Sequence, residues 1–187
     1  AFDYPLEGAS DHLVSEALYV SDPEGNGVEI YRDRPSDQWE YTDDGQVVMD
    51  TLRLDVAELA STTEGESSGA LPAETDLGHV HLEVTDLDRA YQFYAGVLGM
   101  ELQAERRGAK FVSWNGYHHH VGLNTWRRRK RPSTGETRGV ATIRTHLPSD
   151  EALDELEQRA TKADLELDER DGSVALVDPD GIRWTLE

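Results

Sequence analysis

The chain has 187 residues, with 38 Asp and Glu against 18 Lys and Arg, a formal net charge of −20 at pH 7 and no cysteine. That length suffices for one or two small domains with real cores, and the charge opposes binding to nucleic acid or an anionic membrane. Without thiols there are no disulfides and no thiolate metal sites, so any metal must use His, Asp, Glu or water. Dense carboxylates beside only three lysines (Lys110, Lys130 and Lys162) read as a salt-adapted surface. The first residues show no basic-then-apolar segment, and no apolar run approaches the roughly 20 residues that span a bilayer, so the expectation is a soluble cytoplasmic protein.

Residues 1–35 read as a strand, a tight turn and a second strand. Leu18 and Val20 alternate with Tyr19 and Ser21, and Asp22-Pro23-Glu24-Gly25-Asn26-Gly27 places Pro and Gly where a turn needs them. Val28, Ile30 and Tyr31 resume a strand with Glu29 inside it. A carboxylate within an apolar strand costs free energy unless it is paired or bound to a metal, which makes Glu29 a ligand candidate. Residues 36–76 read as a linker, with Trp39 and Tyr41 in a polar loop, Leu52, Leu54, Val56 and Leu59 in a short helix, and a flexible run from Ser61 to Gly69.

From residue 78 the pattern sharpens. Val80, Leu82 and Val84 alternate with His79, His81, Glu83 and Thr85, which predicts a strand over 78–85. Asp86 caps a helix carrying Leu87, Ala90, Tyr91, Phe93, Tyr94, Val97 and Leu98, and Gly99 ends it. Strands are expected near 100–106, 110–115 and 118–126. The order then repeats: a strand over 140–147, a helix opened by Pro148-Ser149-Asp150 with Leu153, Leu156 and Ala160 on one face, and strands near 165–169, 173–178 and 182–186. The turn Asp178-Pro179-Asp180-Gly181 echoes Asp22-Pro23-Glu24-Gly25. The expected architecture is α+β, with paired βαβββ modules forming cupped mixed sheets: residues 1–35 as the C-terminal half of one module, 36–76 as linker, and 77–187 as a domain of two modules (77–127 and 138–187). On this count the first strand and helix of the leading module fall upstream of Ala1.

Gly78-His79-Val80-His81-Leu82-Glu83-Val84, the helix from Asp86 to Tyr94, Val97-Leu98-Gly99-Met100 and the two Asp-Pro-acid-Gly turns resemble the vicinal oxygen chelate superfamily of glyoxalases, bleomycin-resistance proteins and extradiol dioxygenases. The stretch from His12 to Glu29 is similar to the signature of two-domain catechol 2,3-dioxygenase-like proteins. The resemblance implies Fe(II), with Mn(II) or Zn(II) as alternatives, held by two His and one carboxylate, with positions open for O₂ and a diol. It implies metal ligation by Glu29 and His79 and catalytic roles for His12, Tyr19 and His120, the last carried by Gly116-Tyr117-His118-His119-His120.

Within 77–187 the remaining ligand positions fall near Thr142 and Thr185, so the resemblance also implies a degenerate cup, in which His79 is a ligand or a hydrogen-bonded pocket residue and no metal need be bound. His81 shares the face of His79 and reads as structural, and positions 118 and 120 share a face. The implied partner is a small aromatic substrate, with a homodimer or a complementing N-terminal segment supplying missing strands, and this chain alone is expected to show no or weak ring-cleavage activity. Two rival readings are a metal-free resistance-type binder that holds an aromatic ligand against Trp114, Tyr117 and Trp126, and a glyoxalase-like isomerase or lyase. The basic run Arg127-Arg128-Arg129-Lys130-Arg131 reads as a loop that meets the chain's own acidic surface or another subunit.

The charge pattern makes a direct prediction: the melting temperature rises from low salt to molar KCl as the acidic surface is screened. A melting temperature that stays flat or falls over that range would remove the salt-adaptation reading.

Overall fold

The computed structural model describes residues 5–61, 70–134, 136, 138–170 and 173–187, and the chain divides into two units, Ala1–Gly78 and His79–Glu187. Most of the flexible run expected over 61–69 lies outside the described residues.

In the first unit β1 (Gly8–Asp11), β2 (Ser15–Ser21) and β3 (Gly27–Asp33) form an antiparallel meander, and β4 (Leu52–Arg53) pairs with β1, giving the order β3-β2-β1-β4. The turn between β2 and β3 closes on the Asp22 side chain. Its Oδ1 accepts from Glu24 N and Asn26 N, each at 2.8 Å, while Gly25 N donates to Asp22 O at 2.9 Å. Gly25 takes φ 83°, a conformation that favours glycine.

The segment read as linker is more structured than expected. Val47, Met49 and Leu54 are buried, and Leu52 sits in β4 rather than in a helix. Helix α1 (Val56–Ser61) begins later because Asp55 Oδ1 accepts from Ala57 N and Glu58 N, an N-cap that fixes the start.

The second unit contains the same topology twice. Strand β5 (Val80–Glu83), helix α2 (Leu87–Gly96) and strands β6 (Glu101–Arg106), β7 (Ala109–Ser113) and β8 (Val121–Asn124) give a sheet of order β5-β8-β7-β6, with β5 parallel to β8. Strand β9 (Thr142–Thr145), helix α3 (Asp150–Lys162) and strands β10 (Asp168–Arg170), β11 (Ser173–Val177) and β12 (Arg183–Leu186) give β10-β11-β12-β9, with β9 parallel to β12. The caps lie where the sequence places them: Asp86 accepts from Arg89 N, and Ser149 accepts from Ala152 N. The architecture is α+β with mixed sheets, as the repeat predicted.

One apolar core joins the two modules, with Val84, Phe93 and Tyr94 beside Leu156, Trp184 and Leu186. A polar contact runs through it. Asp178 repeats the Asp22 turn, with Oδ1 accepting from Asp180 N and Ile182 N at 2.9 and 2.8 Å. Its Oδ2 accepts from the Tyr94 hydroxyl at 2.7 Å, and Asp180 Oδ1 accepts from Thr85 N at 2.9 Å. The turn of the second module thus holds the start and the body of α2.

Burial, reinforced by the Asp178 charge, raises the Tyr94 hydroxyl above the ordinary tyrosine value of 10.0. Folded Tyr94 therefore keeps a proton that the unfolded chain releases above that pH. Stability is expected to fall as pH rises past about 10, by at most about 1.4 kcal/mol per pH unit for each such tyrosine. Urea melts at neutral and alkaline pH check this: Tyr94→Phe should weaken the decline and cost about 1–3 kcal/mol at neutral pH, because Asp178 loses a buried donor.

Candidate functional site

The β2–β3 register sets Tyr19 directly opposite Glu29, so the two side chains leave the sheet on one face. Ala17, on that same face of β2, is fully buried, while Val28 and Ile30, which alternate with Glu29 on β3, are 42% and 49% exposed. The usual order is inverted here: the carboxylate of β3 is on the covered face, and its apolar neighbours face outward.

His12 joins them from the β1–β2 turn, where Leu13 takes φ 68° and donates its N–H to Asp11 Oδ1. His12 Nδ1 lies 2.7 Å from the Asp50 carbonyl oxygen, and Nε2 lies 2.5 Å from the Tyr19 hydroxyl. That hydroxyl is 3.2 Å from Glu29 Oε1, and His12 Nε2 is 3.9 Å from the same oxygen. The side chains of His12 and Glu29 are 21% and 13% exposed, so water screens the group only in part.

The proton positions follow from donor and acceptor chemistry. A carbonyl only accepts, so the Asp50 contact assigns a proton to His12 Nδ1. Two arrangements are then open, and only the second places a proton in both remaining contacts. With His12 neutral, the Tyr19 O–H points to Nε2. With His12 doubly protonated, Nε2–H donates to the Tyr19 oxygen and the Tyr19 O–H turns to Glu29. The two arrangements differ by one proton on Nε2 and by the direction of a single hydroxyl. Burial first, then the charge and hydrogen bond of Glu29, raise the Tyr19 hydroxyl above its ordinary value, against a lowering contact from Ser10. Tyr19 is therefore held as a neutral hydroxyl rather than as a phenolate.

The other sequence candidates lie in the second unit. His79 immediately precedes β5. His120 is half-buried: its Nδ1 accepts from Trp114 N at 3.2 Å, and its ring lies beside Trp114 and Tyr117. Burial, aided by His118 and His79, holds the His120 imidazole below its ordinary value and favours the neutral ring. The strand expected over 118–126 starts only at Val121, so alternation does not order residues 118–120. In their irregular backbone His118 is fully buried, and its Nδ1 lies 2.7 Å from His119 Nδ1.

Among the described residues one group has the spacing of a metal cluster: ligand nitrogens of His79, His81 and His119 all lie within 4.8 Å of one another. Sequence reading did not group His81 and His119 with His79 as ligands. The alternation that puts His81 beside His79 was visible; the backbone bend that brings His119 to them was not. Thr142 and Thr185 fall in β9 and β12, as the repeat predicted. Of the anticipated aromatic cup, Trp114 donates to Leu98 O, Tyr117 lies on the His118 ring, and Trp126 is 60% exposed. The basic run is a loop in which Arg129 donates to the carbonyl oxygens of Glu83 and Arg131 and to Ser133 Oγ.

Residues 76–186 match the Glyoxalase/Bleomycin resistance protein/Dioxygenase superfamily, and the chain belongs to that family. It is 41% identical to the catechol-2,3-dioxygenase of Bacillus subtilis (strain 168) over 175 residues, which cover 92% of this chain and 61% of that relative. The chain thus spans less than two thirds of the relative's length. A solved glyoxalase/dioxygenase from Nostoc punctiforme, 14% identical, superposes with a TM-score of 0.52 over 65% of this chain and 97% of its own, and shows the shared fold. No helix among the described residues is long and apolar enough to cross a membrane.

A dioxygenase relative suggests a metal. Fe(II) in oxygenases of this kind favours two His and one carboxylate. The first unit supplies Glu29 and one histidine, whose two nitrogens face Asp50 and Tyr19. The second supplies three clustered imidazoles without a carboxylate among them. Among the described residues, neither unit by itself groups the two His and one carboxylate that Fe(II) favours.

Proposed function

We propose that residues 12–29 form the acid–base part of an extradiol ring-cleavage site for a catechol-type aromatic diol, with Glu29 contributing a carboxylate to the metal. The observation that carries this reading is the hydrogen-bonded series from His12 through Tyr19 to Glu29. The catechol-2,3-dioxygenase relative supports the substrate class. Ring cleavage next to a diol requires a proton to leave a hydroxyl and later return to the opened product. Such transfers need a group that gains and loses a proton near neutral pH, and imidazole is the side chain suited to it. Asp50 fixes the ring orientation, Tyr19 extends the reach of His12, and the nearby Glu29 carboxylate stabilises the charge that arrives on His12.

The test uses a chromophoric diol. Bound 4-nitrocatechol is expected to ionise at lower pH than the free compound, read from its visible spectrum. Tyr19→Phe should reduce that shift by about 1 pH unit or more, and Glu29→Gln should reduce it too. If the bound diol ionises as it does in water, or if neither substitution changes its ionisation, the reading fails.

A further inference from the structure

By the resemblance, the family's ligand positions in the second unit fall on His79 and near Thr142 and Thr185, and a threonine hydroxyl is a poor donor for a transition metal. The sheet nevertheless brings two other imidazoles to His79. The geometry points to a three-imidazole Zn(II) site formed by His79, His81 and His119. This inference is independent of the reading of residues 12–29.

Each ligand has a physical reason for its place. His79 and His81 are two residues apart on an extended segment and share a face. Strand β5 is an edge of its sheet, and His81 stands opposite Gly122 of β8. A Cβ at Gly122 would lie 2.5 Å from His81 Nδ1 and 2.9 Å from its Cε1, so only glycine lets the imidazole lie across β8. The bend that carries His119 is tied to β5 by the Val80 N–H, which donates to His120 O at 3.0 Å. Ring centroids are then 4.3 Å apart for His79 and His119, 5.0 Å for His79 and His81, and 5.2 Å for His81 and His119.

The tautomer needed for ligation is also provided for. The 2.7 Å contact between the Nδ1 atoms of His118 and His119 requires a proton on one of them. With that proton on His119, its Nε2 lone pair is left for a metal, and His118 becomes the outer partner that orients the ligand.

Donor chemistry selects the ion. Three imidazoles without carboxylate or thiolate suit Zn(II), with Cu(II) as the competitor. Three protein ligands leave a fourth tetrahedral position, and the exposure of His81 allows water to fill it. Tetrahedral Zn–N bonds of about 2.0–2.1 Å place the nitrogens roughly 3.3 Å apart, so nitrogens now within 4.8 Å of one another need approach by at most about 1.5 Å.

Titration of the metal-free chain with Zn(II), in competition with a chromophoric chelator, tests this. Co(II) serves as a spectroscopic stand-in, and circular dichroism checks folding. One equivalent of Zn(II) and a tetrahedral Co(II) spectrum are expected. His81→Gln and His119→Gln should each weaken binding by about 10²-fold or more, and Gly122→Ala by about 10-fold with every ligand still present. His120→Gln should bind as the unsubstituted chain does. Three results would overturn the site: no stoichiometric Zn(II) binding by the folded chain, binding unchanged in His81→Gln and His119→Gln, or loss of the ion in His120→Gln with retention in His81→Gln. The last outcome would place the ion on the 118–120 run alone.

Discussion

An aspartate carboxylate folded back onto its own turn organises each unit. At Asp22 and at Asp178 the Oδ1 atom accepts from the amides two and four residues later, and a glycine with φ 83° or 88° completes the reversal. The turn fixes the register of the strand that follows, and every later contact inherits that register. In the first unit it brings Glu29 opposite Tyr19, and a slip of one residue would send Glu29 to the other face. In the second it aims Trp184 and Leu186 into the core and leaves Asp178 Oδ2 for Tyr94.

The same turn lives in two electrostatic settings. Around Asp22 the Asn26 side chain leads the contacts that lower the carboxyl below its ordinary value. At Asp178 burial prevails over three hydrogen bonds and raises it. The difference lies in what covers the turn. Asp178 sits under the packed modules and serves as a polar tie between them, whereas Asp22 serves its hairpin alone. The His12–Tyr19–Glu29 group is an intermediate case, covered enough for its hydrogen bonds to matter and open enough for a proton to reach it.

Much of the fold was legible because its signals are local. Alternation marked β5, the Asp86 and Ser149 caps marked α2 and α3, and the paired turns revealed the internal repeat. The errors came where local pattern and tertiary packing part. Leu52 and Leu54 fit a helical spacing, yet Leu52 pairs with β1 and Leu54 is buried. His118 and His120 share a face only if residues 118–120 are extended, and their backbone bends instead.

The sequence by itself determined the α+β class, the repeated module and the candidacy of Glu29, because turn chemistry and side-chain period act over a few residues; the family resemblance added His12 and Tyr19. Tertiary structure alone decided that the Asp50 carbonyl orients His12, 38 residues away, and that His119 rather than His120 meets His79 and His81. Those contacts depend on strand pairing and on the path of an irregular bend, which nearest neighbours along the chain do not encode. Gly122 joins the two levels. In the sequence it is one small residue in a strand, and in the fold it is the space that the His81 ring occupies.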